Sequence, residues 1–305
     1  MGGGTYDPSA FRSYTSTARG QTQQQNFKSR SLNPSMDPLG IKTRESRDST
    51  EHPESNAVAV CFDVTGSMGS LANYMATGGL PKMVEEILSE DRNALPHPQV
   101  LFMAQGDGYR DLVPFQIAQF ESDIRMTDWL SKIYLEGGGG GNGGESYWMA
   151  YYAAAYKTSI DCWEKRQRKG FLFTIGDEPP HMSIEPAHVK AVFGDTIEGG
   201  ITFKDLIEVT RRTWNCFHII VGADDCGDVN TITSWKKVLG ENALVLDDHT
   251  KIAELIVSTI EVVNGKDLSK VASSWSGSTS VSVSNALSGT ARALQPRNKG
   301  GLARL

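Results

Sequence analysis

Five residues with oxygen-bearing side chains, spread over three separate segments, could together hold a hard divalent cation. Asp63, Thr65 and Ser67 occupy alternate positions in the stretch VAVCFDVTGSMGS. Asn142 lies in the glycine-rich run GGGGGNGGES, and Asp177 directly follows the apolar run FLFTIG. Carboxylate, hydroxyl and amide oxygens suit Mg²⁺, Mn²⁺ or Ca²⁺ rather than zinc. We therefore predict that these five residues form a metal site.

The spacing Asp-x-Thr-x-Ser indicates how such a site would work. A tight loop with this spacing can turn one carboxylate and two hydroxyls toward a single point. Because hydroxyls are neutral, they leave the positive charge of the cation incompletely balanced. We expect one coordination position to remain open for water or for an incoming carboxylate, so that the metal connects the protein to a partner.

Each of these residues also has a plainer explanation. The three residues after the first apolar run are types that are favoured at the start of a helix. Asp177 could be a turn residue before two prolines, and Asn142 could occupy a left-handed backbone position among the glycines. The glycine run itself could be a flexible linker, although a loop that approaches another segment closely is the better interpretation. We interpret Glu145 as a residue of the first turn of a helix rather than a ligand.

Several other polar and aromatic residues lie near these segments in the sequence. Asp107 and Asp111, in GDGYRD, could form a second acidic site, but a hairpin turn is the preferred interpretation. We predict that His181 and His188 lie at the surface or at the rim of the site and do not bind metal. The aromatic residues of ESYWMAYYAAAY are expected to be mostly buried, and any exposed ones would mark a partner surface.

Strand-like and helix-like runs alternate between residues 56 and 265, and they must position these side chains. The predicted strands cover residues 57–63, 98–107, 112–120, 170–177, 215–223 and 242–248. The predicted helices cover residues 70–90 (bent or broken at TGGLP), 122–135, 145–168, 203–212, 230–239 and 251–263.

This alternation predicts an α/β fold: a Rossmann-like, doubly wound three-layer sandwich with a mostly parallel central sheet. The short link between the second and third strands predicts a hairpin, which supplies one antiparallel edge strand. In such sheets, ligands bind beyond the carboxyl ends of the strands. Asp63 and Asp177 are the last residues of their predicted strands, at the carboxyl ends that this rule indicates.

The two ends of the chain differ from its middle in composition. Residues 1–55 are rich in Gln, Ser, Thr and Gly, and residues 266–305 are Ser-rich and mildly basic. Neither end shows enough periodic hydrophobicity to offset the entropy of ordering, so we predict an N-terminal tail or strap, a domain at residues 56–265 and a C-terminal tail. The tails are expected to be solvated and disordered, or else to order on a partner.

Overall composition excludes several classes of protein. The chain has 305 residues and a net charge of −6, so a broad attraction to nucleic acid or to an anionic membrane is not expected. Its four cysteines lie far apart, which argues against a zinc ribbon and a disulfide framework. We find neither a signal-peptide pattern nor a run of about 20 apolar residues, and therefore expect a cytoplasmic protein, or a virion protein if a phage encodes it.

Taken together, the motifs resemble those of a von Willebrand factor A domain with a metal-ion-dependent adhesion site, of the intracellular bacterial or phage type. Asp63, Thr65 and Ser67 match the first motif of that family, Asp-x-Ser-x-Ser, with threonine in place of the first serine. Asp177 in FTIGDEPPH matches the third motif, and GDGYRD is similar to a YRD turn of the family. Asn142 stands where the second motif has threonine or aspartate, which removes a charge that some members have.

The resemblance implies a non-enzymatic binding module in which Mg²⁺, or Mn²⁺ or Ca²⁺, bridges the protein to an acidic side chain of a partner. Intracellular members of the family often work beside MoxR-type AAA+ ATPases or as assembly subunits, so such a protein is the implied partner. One alternative is a virion or assembly component that makes its contacts through the tails. Another is a Mg²⁺-dependent phosphohydrolase in which Asp63 acts as the nucleophile, because DVTGS is similar to the DKTGT motif of aspartyl-phosphate enzymes.

Overall fold

The computed structural model describes residues 4–88, 92, 94–138, 143–222 and 229–295. Within these residues, a six-stranded sheet forms the centre of the fold. The strands, including those of two small two-stranded sheets, are β1 (Arg44–Ser46), β2 (Asn56–Asp63), β3 (Pro98–Gln105), β4 (Phe115–Ile117), β5 (Thr158–Ile160), β6 (Gly170–Gly176), β7 (Ser183–Ile184), β8 (Ile201–Thr202), β9 (Trp214–Val221) and β10 (Ala243–Leu246).

Helices flank the central sheet. They are α1 (Pro8–Arg19), α2 (Gln23–Asn26), α3 (Gly69–Tyr74), α4 (Leu80–Leu88), α5 (Arg125–Ser131), α6 (Trp148–Tyr156), α7 (Asp161–Glu164), α8 (Pro186–Phe193), α9 (Phe203–Thr210), α10 (Val229–Leu239), α11 (Ile252–Val263), α12 (Leu268–Ser273) and α13 (Gly277–Leu294). The predicted interruption at TGGLP is a π-helical turn, Met75–Gly79, between α3 and α4. None of the helices among the described residues is both long and apolar enough to cross a membrane.

The strand order of the central sheet is β10-β9-β6-β2-β3-β4. Neighbouring strands run parallel, except for β3 and β4, which pair antiparallel at the edge. The predicted Rossmann-like α/β fold with one antiparallel edge strand is therefore confirmed. The chain first moves from β2 to β3 and later returns to the other side of β2 at β6, so the strand order reverses between β2 and β6. Ligands bind at this kind of switch point in open α/β sheets.

Strands β2 and β6 are buried along their whole length, as their continuous apolar runs predict. The register places Val60 beside Phe173, and Phe62 beside Ile175, near the carboxyl ends of both strands. Because the two strands are parallel, the residues that follow them emerge at the same edge of the sheet. This arrangement brings the segment after Asp63 and the segment after Gly176 together.

The predicted helix over residues 145–168 is wrong. Helix α6 ends at Tyr156, and after Lys157 the chain forms β5, which pairs in parallel with β1. The backbone N–H of Arg44 also bonds the carbonyl of Lys157, at 2.7 Å. A strand partner more than 100 residues away overrides the local helical pattern, and the β-branched Thr158 and Ile160 suit the strand.

The described parts of the terminal segments are folded, in contrast to the solvated disorder that their composition predicts. Phe11, Phe27 and Met36 of the N-terminal segment are buried, as are Val283 and Leu287 of α13. Helix α13 packs against β10 at the far edge of the sheet and against α11. A few apolar residues in otherwise polar segments are enough to attach them to the existing core. The domain boundaries after residues 55 and 265 remain predictions.

Candidate functional site

The candidate site lies at the carboxyl ends of β2 and β6, where the strand order reverses. Asp63 is the last residue of β2, and a short 3₁₀ helix, Gly66–Met68, follows it. Asp63 is fully buried and Thr65 is nearly so. Such burial is unusual for an aspartate unless its carboxylate is paired.

Thr65 donates two hydrogen bonds to one oxygen of Asp63. Its backbone N–H lies 2.8 Å and its hydroxyl oxygen 2.6 Å from Oδ1 of Asp63. By themselves these bonds describe an Asx turn. Because an ionised carboxylate can only accept, the hydroxyl hydrogen of Thr65 points to Asp63. The lone pairs of the Thr65 oxygen therefore remain available to a cation.

Asp177 supplies a second negative charge at the same place. It follows β6 directly, and its carboxylate interacts electrostatically with that of Asp63. Burial is the main cause that raises the pKa of Asp63, to about 7, and the charge of Asp177 raises it further. The hydrogen bonds from Thr65 and Tyr147 oppose this rise only in part. Two carboxylates that destabilise each other's charge are a suitable environment for a cation.

Tyr147 is a member of the site that the sequence analysis missed. Its buried hydroxyl donates to the second oxygen of Asp63, Oδ2, at 3.1 Å. Tyr147 belongs to an aromatic run that the sequence predicts to be mostly buried, and its burial is confirmed. A tyrosine of a core and a tyrosine that contacts a carboxylate look alike in such a run. Gly176 is the feature of the sequence that could have indicated the contact of Tyr147 with the site. A glycine at the end of a buried strand often marks the close approach of another group.

The remaining two predicted ligands are not described. Asn142 lies outside the described residues, and of Ser67 the structure describes the backbone, in the 3₁₀ helix Gly66–Met68, but not the side chain. Their roles stay predictions. The described start of the glycine run does reach the loop after β2, since the N–H of Gly66 donates to the carbonyl of Gly138 at 2.9 Å. That contact fits a loop of close approach.

The turn between β3 and β4 uses its acidic residues internally. The Oδ1 atom of Asp107 accepts the N–H of Tyr109 at 2.9 Å, and Oδ2 of Asp111 accepts the N–H of Asp107 at 2.8 Å. The hairpin interpretation is confirmed by the antiparallel pairing of the two strands. A Cβ atom on Gly138 would lie 2.1 Å from Oδ1 of Asp111, so the glycine run also packs closely against this turn.

The two histidines lie at the rim of this region and are partly exposed. The ring of Tyr109 packs edge-on against both, with ring centroids 4.6 Å from His181 and 4.2 Å from His188. Burial lowers the pKa of His181.

Glu145 precedes α6 by three residues, so it is not in the first turn of that helix as expected. Its backbone instead bonds the backbone of Pro179 and His181, which attaches the loop after β6.

The described donors fit a hard divalent cation, although they form a small set. The described residues include no group of three or more His, Cys, Asp or Glu side chains placed to hold a metal ion. The donors here are two carboxylates and a hydroxyl, from Asp63, Asp177 and Thr65. A cation between the two carboxylates would relieve their repulsion and would favour the ionised form of Asp63. Oxygen donors of this kind select Mg²⁺, Mn²⁺ or Ca²⁺.

Comparison with known proteins gives only distant similarity. No family model and no curated protein match the sequence. Among solved structures, the pilus adhesin SpaC from Lactobacillus rhamnosus GG, in its open conformation, is similar with a TM-score of 0.47 and 9% identity over 72% of this chain. The chain spans only 31% of the length of that adhesin.

Two further solved structures are also similar. Proximal thread matrix protein 1 from the mussel byssus has a TM-score of 0.42 and 10% identity, over 73% of this chain and 49% of its own. An aerotolerance-related membrane protein from Bacteroides fragilis NCTC 9343 has a TM-score of 0.35 and 14% identity, over 67% of this chain and 98% of its own. With TM-scores below 0.5, these similarities carry no argument about family or function.

Proposed function

We propose that this protein is a non-enzymatic binding module in which a divalent cation, with Mg²⁺ as the expected ion, joins it to a carboxylate of a partner protein. Asp63, Thr65 and Asp177 would hold the cation directly or through water. Ser67 and Asn142 would complete the set, as the resemblance to a metal-ion-dependent adhesion site implies. The cation supplies a positive charge that a partner carboxylate can bind.

One observation carries this proposal. Asp63 is fully buried beside a second carboxylate, that of Asp177, and burial and this second charge together raise its pKa to about 7. The donors that contact Asp63, from Thr65 and Tyr147, are neutral. A buried, ionised carboxylate beside a second negative charge is unfavourable without a cation, and groups with strongly shifted pKa values cluster at functional sites. The Thr65 hydroxyl can turn its lone pairs to the same cation.

The proposed partner is a protein that presents a carboxylate to the bound cation. The resemblance implies a MoxR-type AAA+ ATPase or an assembly subunit with an accessible acidic side chain. Tyr109 and Leu112 are exposed on the turn after β3, where the ring of Tyr109 packs against His181 of the loop after β6, and they would border the docked partner. The chemistry of the contact, a carboxylate on a cation that is incompletely neutralised, does not depend on which of these proteins binds.

Acetate is a probe for the open coordination position. Manganese is paramagnetic, so water exchanging at a bound Mn²⁺ shortens the relaxation time of the solvent protons. We expect the protein to enhance this relaxation in the presence of Mn²⁺, and acetate to reduce the enhancement by displacing water. Asp48→Asn, far from the site, is the matched control and should behave like the wild-type protein. A bound Mn²⁺ that acetate does not affect would contradict the proposed carboxylate capture.

Under this proposal, the protein does not hydrolyse phosphate esters. Incubation with p-nitrophenyl phosphate and Mg²⁺ should release no more nitrophenol from the wild-type protein than from Asp63→Asn. Sustained turnover that disappears in Asp63→Asn would instead identify a phosphohydrolase with Asp63 as its nucleophile.

A further inference from the structure

Tyr147 lies between the two loops of the candidate metal site and contacts both of them. Its hydroxyl donates to Oδ2 of Asp63, after β2, at 3.1 Å. The same oxygen accepts the backbone N–H of Glu178, in the loop after β6. Glu178 directly follows Asp177, so a single hydroxyl connects the two carboxylate-bearing segments.

The position of this hydroxyl is fixed from several sides. A Cβ atom on Gly176 would lie 1.9 Å from the hydroxyl oxygen of Tyr147 and 2.7 Å from its ring, so only glycine at position 176 leaves room for it. The ring packs edge-on against His218 and Trp235, with centroid distances of 4.9 and 5.1 Å. All of these side chains are fully buried. The hydroxyl therefore has little freedom to leave Asp63.

The loop after β6 is held by a second aromatic side chain. Nε1 of Trp235 donates to the backbone carbonyl of Glu178 at 3.1 Å. The peptide groups on both sides of Glu178 are thus bonded to buried aromatic residues, one to Tyr147 and one to Trp235. Asp177, between Gly176 and Glu178, has its backbone constrained on both sides.

From these contacts we infer that Tyr147 is a positioning residue for the metal site: its hydroxyl orients the Asp63 carboxylate and holds the Asp177 loop at the distance that a shared cation requires. This inference rests on the proposed function, because it concerns the same cation. It assigns a role to a residue outside the three motifs that the resemblance identifies. Tyr147 does not itself bind the cation.

The test compares two conservative variants. Tyr147→Phe keeps the buried ring and removes only the hydroxyl. Tyr151→Phe is the matched control, because Tyr151 lies on the next turn, is equally buried, and directs its hydroxyl to Thr174, 3.4 Å away, instead of Asp63. Partners of metal ligands typically contribute 10–100-fold to metal affinity, so Mn²⁺ binding measured by electron paramagnetic resonance should weaken about tenfold or more in Tyr147→Phe. It should not change in Tyr151→Phe.

A second measurement separates positioning from general destabilisation. In the metal-free protein, Tyr147→Phe should speed amide hydrogen exchange at Glu178 and His181 without affecting β9, whereas Tyr151→Phe should leave these amides unchanged. Gly176→Ala reaches the same hydroxyl from the other side and should also weaken Mn²⁺ binding. Equal Mn²⁺ affinity in the wild type and in Tyr147→Phe would overturn the positioning role alone. Absence of Mn²⁺ binding by the wild-type protein would overturn the proposed function as well.

Discussion

In two regions of the molecule, carboxylates contact other chain segments. The pKa of the carboxylate is lowered in one region and raised in the other. Where the N-terminal segment crosses α7, Asp48 pairs with Arg166 at 2.8 Å and with Lys165 at 3.2 Å. These partners hold the pKa of Asp48 well below its usual range, and the hydrogen bonds from Arg166 make the largest contribution. At the ends of β2 and β6, burial and a second carboxylate, Asp177, instead raise the pKa of Asp63 to about 7.

Under the proposed function, this difference separates a carboxylate with a structural role from one that binds a cation. The charge of Asp48 is balanced by cations of the chain itself, and Asp161 close by is balanced in the same way by Arg47 and Lys165. Such pairs attach the N-terminal segment to the domain. The charge of Asp63 is met by hydroxyls and a backbone N–H, which donate hydrogen bonds but bring no formal charge. The proposed cation would supply that charge from solution.

The largest expected effect is on the pH dependence of stability in EDTA. The pKa of Asp63 rises from 3.8 to about 7 on folding, which corresponds to about 4 kcal/mol. Folded protein binds the proton more tightly than unfolded protein, so the contribution of Asp63 is most favourable below pH 4 and is lost as the pH rises to 7. Denaturant unfolding at several pH values should show this slope in the wild type and a flatter one in Asp63→Asn.

Asp48 should show the opposite pH dependence. Because its folded pKa is lowered, its stabilising contribution is present at neutral pH and is lost as the pH falls through 3.8 and below. If the difference between wild type and Asp63→Asn did not vary between pH 4 and pH 7, the contrast between the two regions would be wrong.

The next effect is stabilisation by the metal. A ligand that binds only the folded state at 100 times its dissociation constant stabilises by about 2.7 kcal/mol. We expect Mg²⁺ to raise the melting temperature of the wild-type protein, and EDTA to reverse the change. Asp63→Asn should not respond to Mg²⁺, while Asp48→Asn should respond fully. A Mg²⁺ response that survives in Asp63→Asn would place the ion elsewhere.

Removing the balanced charge should affect stability only. Asp48→Ala breaks a partly buried ion pair with Arg166 and leaves the N–H and hydroxyl of Ser55 without their acceptor. We expect a loss of about 2 kcal/mol in the free energy of unfolding at pH 7. The Mn²⁺ affinity of the folded variant should stay within about twofold of wild type. A large loss of Mn²⁺ affinity would couple two regions that the structure separates.

The smallest expected effect is that of removing the hydroxyl oxygen of Thr65 while keeping the shape of its side chain. Thr65→Ser keeps the hydroxyl that bonds Asp63 at 2.6 Å, whereas Thr65→Val keeps the shape and removes the oxygen. Mn²⁺ affinity should be nearly unchanged in Thr65→Ser and about tenfold weaker in Thr65→Val. Equal affinity in the two variants would leave Thr65 a turn residue only.

Much of the fold could be predicted from local patterns. Strands β2, β3, β6 and β9 are continuous apolar runs, and each was predicted to within two residues at either end. The same runs place Asp63 and Asp177 at strand ends, because the residue that follows a buried strand must leave the sheet. The antiparallel edge followed from the short link in GDGYRD, since a parallel connection needs a longer chain.

The rest depends on contacts between distant segments. The pairing of β1 with β5 joins residues more than 100 positions apart, and neither three-residue strand has a distinctive pattern of its own. The hydrogen bond from Tyr147 to Asp63 spans 84 positions. The residue types in an aromatic run do not indicate which of its side chains will point to the core and which will point to a distant carboxylate. Gly176 is a local sign of this contact, but a glycine at a strand end can occur for many other structural reasons.

The central claim is that the loops after β2 and β6 share one divalent cation, and isothermal titration of Mg²⁺ and Mn²⁺ tests it most directly. The titrations use the wild-type protein and Asp177→Ala, whose substitution lies outside the strand β6 and so should leave the fold intact. We expect saturable heats at a stoichiometry near one for the wild type and little or no binding for Asp177→Ala. Equal heats from the two proteins would contradict it.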